Sequence, residues 1–135
     1  MGRNSRSRRK DGVVRMSKLR DKILNAKDQR KEKVYIDEWD AEIEVRSMTG
    51  KERADLLRKC MIRDDKGERE VDFEKLTVHA IIACCYDPET GEKLFEETDR
   101  DMLNTKNAGA LEKLSETAFK LSGLGDKAKE KARKN

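Results

Sequence analysis

The sequence predicts a predominantly helical α+β domain: a short N-terminal β-hairpin packed on about four α-helices, with charged ends outside it. Three observations carry this. "VYIDEWDAEIEV" alternates apolar and polar residues with period two, as half-buried strands do. Thr49 and Glu52 have the spacing of a capping box opening a helix. Further on, Leu111, Leu114, Ala118 and Leu121 recur at threes and fours, as on one helix face.

The 135 residues suit one domain with tails: a basic N-terminal extension over 1–16, a folded unit over 17–125 and a basic tail over 126–135. Charged residues make up 44% of the chain against a usual ~25%, so the expected core is modest and the highly charged ends are expected to be disordered. The basic excess belongs to those ends. Residues 1–10 sum to +5 and residues 126–135 to +3, while residues 11–125 sum to −4. A mildly acidic middle argues against a folded nucleic-acid surface.

Element by element, Met16, Leu19, Ile23 and Ala26 form a narrow apolar stripe on a short helix that needs a partner surface. Val34 and Ile36, then Ala41, Ile43 and Val45, form the inward faces of two strands joined through "DEWD". An isolated hairpin is marginal in water, so it must pack on helices. The helix opened by Thr49 carries Leu56, Leu57, Cys60 and Met61, and "DDKG" with Gly67 is expected to close it. A second helix starts near Asp72. It is apolar nearly all round, which makes it the central buried helix.

"YDPETGEKLF" reads as a turn, with Asp87-Pro88 and Gly91 setting the backbone and Leu94 and Phe95 returning to the core. A short helix follows, capped near Thr98 or Asp99, with Met102 and Leu103 inward. Asn107 is expected to cap the last helix, and Gly123 to end it.

No catalytic set emerges. On one helix His79 and Cys84 point about 140° apart, so they do not form a nucleophile–base pair. Cys84 and Cys85 are vicinal, and with one histidine and a distant Cys60 they complete no usual zinc set. "RDDKGERE" and "DPETGE" lack calcium-loop spacing, and no Gly-rich phosphate loop occurs. No cofactor or metal is therefore expected. Three cysteines without an apolar leader indicate a reducing cytoplasm, no apolar run reaches membrane-spanning length, and "MGRNSR" misses the myristoylation pattern. The Arg-rich N-terminus could bind nucleic acid electrostatically, but no aromatic residues interleave with it to stack on bases.

The order of the segments carries a further reading. "EWDAEIEVRSMTGKERADL", then "IIACCYDPETGEKLF", then "ALEKLSETAFKLSGLG" resembles the tail assembly chaperones of long-tailed bacteriophages and prophages over about residues 17–125. The shared motif falls on Trp39, Val45, Arg46, Thr49, Gly50, Asp87, Gly91, Leu94 and Phe95, mainly as structural positions. The Arg-rich extension departs from the family pattern. The resemblance implies a non-enzymatic chaperone in the cytoplasm of the bacterial host, absent from the mature virion. Its implied partners are the tape measure protein, which it would keep soluble, and the major tail tube protein, which it would recruit; self-association is a further option. The alternative is a small nucleic-acid-binding or regulatory protein acting through its Arg-rich N-terminus. The residues expected to touch a partner are Trp39, Leu111, Leu114 and Leu121, with Trp39 weighted toward packing.

Overall fold

A computed structural model describes residues 17–124; the expected disorder of both ends concerns residues outside that range. The chain opens with α1 (Lys18–Leu24), whose cap is Ser17, its hydroxyl accepting from the Arg20 N–H at 3.2 Å. Strands β1 (Lys31–Ile36) and β2 (Ala41–Arg46) then pair antiparallel, with Val34 opposite Ile43 and Ile36 opposite Ala41. This register puts Val34, Ile36, Ile43 and Val45 on one face, all buried, as the period-two pattern requires.

The reversal between the strands is a 3-10 turn, Asp37–Trp39, followed by Asp40 at φ +46°. Aspartate enters the left-handed region more readily than most side chains, and here its carboxylate also accepts a bond from the Tyr35 hydroxyl.

Helix α2 (Gly50–Cys60) starts at the expected capping box. Thr49 N–H donates to Glu52 at 2.8 Å, and Glu52 N–H donates to Thr49 Oγ1 at 3.1 Å. The helix stops at Cys60 rather than near Gly67. Met61 turns extended, and residues 61–71 form a hairpin instead, β3 (Met61–Arg63) against β4 (Arg69–Val71), with Gly67 at φ +79° in its turn. Met61, expected on the helix's apolar face, is thereby exposed. The hairpin is closed at its base by the Asp72 N–H donating to the Cys60 carbonyl at 2.7 Å.

Helix α3 (Phe73–Cys84), capped by Asp72, is the buried centre: Leu76, Val78, Ala80, Ile81, Ile82 and Cys84 all lie in the core. Each large aliphatic side chain so buried contributes about 1.5–3 kcal/mol. The chain runs directly on into β5 (Cys85–Tyr86), which pairs with β2 and completes a three-stranded sheet in the order β1-β2-β5.

The Asp87–Gly91 turn follows, closed by the Gly91 N–H donating to the Asp87 carbonyl at 2.8 Å, with Gly91 at φ +76°. Phe95 returns to pack on the core, but its neighbour Leu94 is exposed, because adjacent residues in extended chain face opposite ways. A one-turn α4 (Arg100–Leu103) likewise buries Leu103 and leaves Met102 64% exposed, since successive helical positions diverge by about 100°.

Helix α5 (Ala108–Leu121), capped by Asn107 and ended by Gly123 at φ +80°, packs on α3 and on β1 and β2. The result is the expected α+β architecture, with α5 packed between the small antiparallel sheet and the buried α3.

Candidate interaction surface

Three motif positions that lie far apart in sequence, Arg46, Asp87 and Gly91, meet at the β5 edge of the sheet, while Trp39 in the β1–β2 turn and Thr49 at the start of α2 stand elsewhere. Arg46, at the end of β2, lies on the solvent-facing side. Its Nε is 2.5 Å from Glu44 Oε2, which is two residues earlier and so on the same face. Its guanidinium carbon sits 4.0 Å from the centroid of the Tyr86 ring. The register that places Glu44 opposite Tyr86 produces this stack. The guanidinium also passes Gly91, where an added Cβ would stand 3.6 Å from it. Arg46, Asp87 and Gly91 thus form one structural unit, while Val45 beneath them is fully buried.

A second junction ties the β2–α2 connector to the end of α5. Met48 N–H donates to Ser122 Oγ at 2.9 Å, and Arg53 reaches the Ser122 carbonyl at 3.4 Å. The segment before β1 is pinned to the same place, where Arg30 N–H donates to Ser47 Oγ and Ser47 N–H donates to the Arg30 carbonyl. Between these strands of chain lies an open cleft of about 350 Å³, lined by Arg30, Ser47, Thr49, Gly50 and Leu121 among others.

The four residues expected to touch a partner are not brought together as one outward face. Leu111 and Leu114 are buried under α5, where they fill the space between that helix and the core. Leu114 is fully enclosed, and Leu111 shows only its edge at a shallow depression beside Glu74 and Thr77. Trp39 and Leu121 are half-buried and pack against the core from its rim. The large exposed apolar side chains lie elsewhere: Leu19, Ile23 and Leu24 on α1, with Tyr35, Met61, Leu94 and Met102 on the body. Leu19 and Ile23 were legible as a stripe in the sequence; the exposure of Leu94 and Met102 was hidden by their apolar neighbours.

Among the described residues, no cysteine is placed for nucleophilic chemistry. Cys60, Cys84 and Cys85 are free and buried. Burial pushes the Cys60 thiol up to about 11, with Asp72 adding to the effect, and pushes Cys84 up to about 12. Cys85 moves in the same direction for the same reason. These thiols resist forming the reactive thiolate.

His79 is buried, with its Nδ1 3.3 Å from Glu97 Oε2 but off the hydrogen-bond direction. Glu97 also meets the Lys59 ammonium at 3.0 Å. Partial burial alone would raise the Glu97 pKa; Lys59 and His79 together outweigh that and bring it below the usual glutamate value. Among the described residues, no group of three His, Cys, Asp or Glu side chains is placed to hold a metal ion, and no helix is long and apolar enough to cross a membrane.

No protein-family model matches the sequence, and no curated protein matches it. A solved structure does resemble the fold: the tail assembly chaperone of bacteriophage HK97, with a TM-score of 0.50 at 14% identity. The likeness covers 78% of this chain and 98% of that one. At such low identity the likeness is one of architecture, and in architecture this chain resembles a phage tail assembly chaperone.

Proposed function

We propose that this chain is a non-enzymatic phage tail assembly chaperone. It binds the tape measure protein, keeps that protein soluble and helps recruit tail tube subunits during tail morphogenesis. It would act in the cytoplasm of the bacterial host and stay out of the finished virion. Residues 17–125 would serve as the single chaperone domain. The observation that carries the reading is the fold likeness, which spans nearly the whole of the HK97 chaperone. The ordered motif around Trp39, Arg46, Asp87 and Gly91 supports it independently, because three of those residues build one structural unit. The acidic balance of residues 17–124, net −4, favours a protein partner over nucleic acid.

Co-expression with the tape measure protein encoded alongside this chain tests the proposal. The expected result is a larger soluble fraction of that protein and its co-purification with this chain. Unchanged solubility together with no co-purification would sink it.

A further inference from the structure

His79 is only 7% exposed, and its Nδ1 has no hydrogen-bond partner. It stands in the wall of a cleft of about 160 Å³ between α2, α3 and the segment that returns from the Asp87–Gly91 turn. Helical spacing builds two of the walls. On α2, Glu52, Asp55, Leu56 and Lys59 follow one another at threes and fours and so share a face; on α3, His79 and Ile82 do the same. Lys93 and Glu97 close the third side.

The polar atoms of this cleft lack a donor. His79 Nδ1 and Glu97 Oε2 stand 3.3 Å apart without a bond between them. A carboxylate oxygen only accepts, and a neutral imidazole nitrogen without its hydrogen also accepts. A group carrying several N–H donors would satisfy both at once. The Lys59 ammonium already sits on Glu97 at 3.0 Å, so the spot holds a cation, but that contact leaves Nδ1 unmet. Lys59 and Glu97 are each 53% exposed, so both are able to swing outward and admit an incoming group. Asp55 turns its oxygens to Lys51 and Arg58 along the exposed rim of α2, partners that hold it weakly.

Size and charge narrow the occupant. Small-molecule and cofactor pockets run to about 300–1,000 Å³, so this cleft suits the end of one side chain. Three carboxylates against two ammonium groups leave it at net −1. Its floor is apolar, with Leu56 and Ile82 both buried. A flat cation with donors around its edge fits a flat apolar floor ringed by acceptors, and a guanidinium is that group; an ammonium has no face to lay down.

We propose that this cleft receives the guanidinium of an arginine on a partner protein, with His79 Nδ1, Glu97 and Asp55 as its acceptors. The arginine displaces the Lys59 ammonium from Glu97 and reaches past it to the imidazole. Buried arginines are among the side chains that anchor protein interfaces. The site goes beyond the tape measure reading and does not depend on it, and its test uses no tail protein, so the two can fail separately.

The test is a titration of the purified, nitrogen-15-labelled full chain with N-acetyl-arginine amide, followed by NMR. His79 is the chain's single histidine, so its imidazole nitrogens give one unambiguous pair of signals. The expected result is a saturable movement of the Nδ1 signal, in the direction of an accepted hydrogen bond, with a dissociation constant on the order of 1 mM. The citrulline and lysine counterparts should bind at least about tenfold more weakly, since each loses the charge or the fork.

Glu97→Gln and Asp55→Asn should each weaken binding, Glu97→Gln by about tenfold, while Lys59→Gln, which removes the internal competitor, should strengthen it about threefold. Glu74→Gln, on the exposed side of α3 away from the cleft, should change nothing. Backbone spectra that match the wild type outside the cleft show that each variant is folded. Absence of a saturable shift overturns the proposal, as does equal binding of citrulline or lysine, or a Glu97→Gln variant that binds like the wild type. A zinc ion that moves the Nδ1 signal where the arginine amide does not would also overturn it.

Discussion

The Arg46 guanidinium lies over the Tyr86 ring at 4.0 Å while its Nε holds Glu44 at 2.5 Å. One planar cation therefore joins β2 to β5 through the stack, while the ion pair within β2 holds its guanidinium in place. Lysine cannot reproduce this, because an ammonium has no flat face to stack and no fork to share. Arg46→Lys should lower stability by about 1 kcal/mol, within the range for a partly desolvated cation–π contact. Urea unfolding checks it; a midpoint equal to that of the wild type would show that the stack contributes nothing.

Thr49→Ala removes the hydroxyl that accepts the Glu52 N–H and opens the capping box at the start of α2. The expected loss is about 1 kcal/mol. Thr49→Ser keeps the acceptor and should recover most of it, which distinguishes capping from mere loss of side-chain volume.

Trp39→Ala should destabilise by about 2 kcal/mol, less than the ~3–5 kcal/mol of a fully buried aromatic, because Trp39 sits at the rim of the core with part of its surface wet. Thermal melts followed by circular dichroism provide the measurement. A variant that melts like the wild type yet no longer binds its partner would make Trp39 a contact residue.

Alkaline stability should report the buried thiols. Their ordinary pKa is 9.0, and in the folded chain Cys60 is raised to about 11 and Cys84 to about 12, burial being the leading cause. The folded state thus holds protons that the unfolded state releases, so stability is undiminished below pH 9 and falls as pH rises from there toward 11 and 12. Replacing Cys60 and Cys84 by alanine should flatten that decline. At neutral pH a thiol reagent should label none of the three cysteines until the chain unfolds.

Acid acts through Glu97 with the opposite sign. Its folded pKa is lowered below the ordinary 4.5 by Lys59 and His79, which outweigh the upward push of burial. The stabilisation is present above 4.5 and fades as pH falls through the lowered folded value. Because Glu97 is half exposed, the effect is small and screened by salt. Glu97→Gln should make unfolding free energy measurably less dependent on pH in that window.

Much of this architecture was readable from local chemistry. The Thr49–Glu52 box, the helix start near Asp72, the Asn107 cap and the period-two strands are each encoded within a few residues, and each appears where expected. The hairpin over 61–71 was not readable. "MIR" and "REV" are three-residue strands with too little alternation to register, and Gly67 serves a hairpin turn as readily as a helix end. The third strand is only Cys85–Tyr86, and it exists because β2 offers it an edge. Leu111 and Leu114 carry the same periodicity whether they face a core or a partner, so their burial against α3 and the sheet was not readable from the pattern.

The hairpin between α2 and α3 also gives the molecule a place to carry cargo. Its stem is clasped at Asp72 and Cys60, and again where Asp64 N–H donates to the Glu68 carbonyl at 2.8 Å. Its tip, Asp65 to Gly67, is open to solvent. Exposed tips with fixed ends accept inserted sequence at little thermodynamic expense. A fluorophore or affinity peptide placed between Asp65 and Lys66 would ride outside the core without unfastening either helix, making this loop a handle for tracking the chain through an assembly reaction.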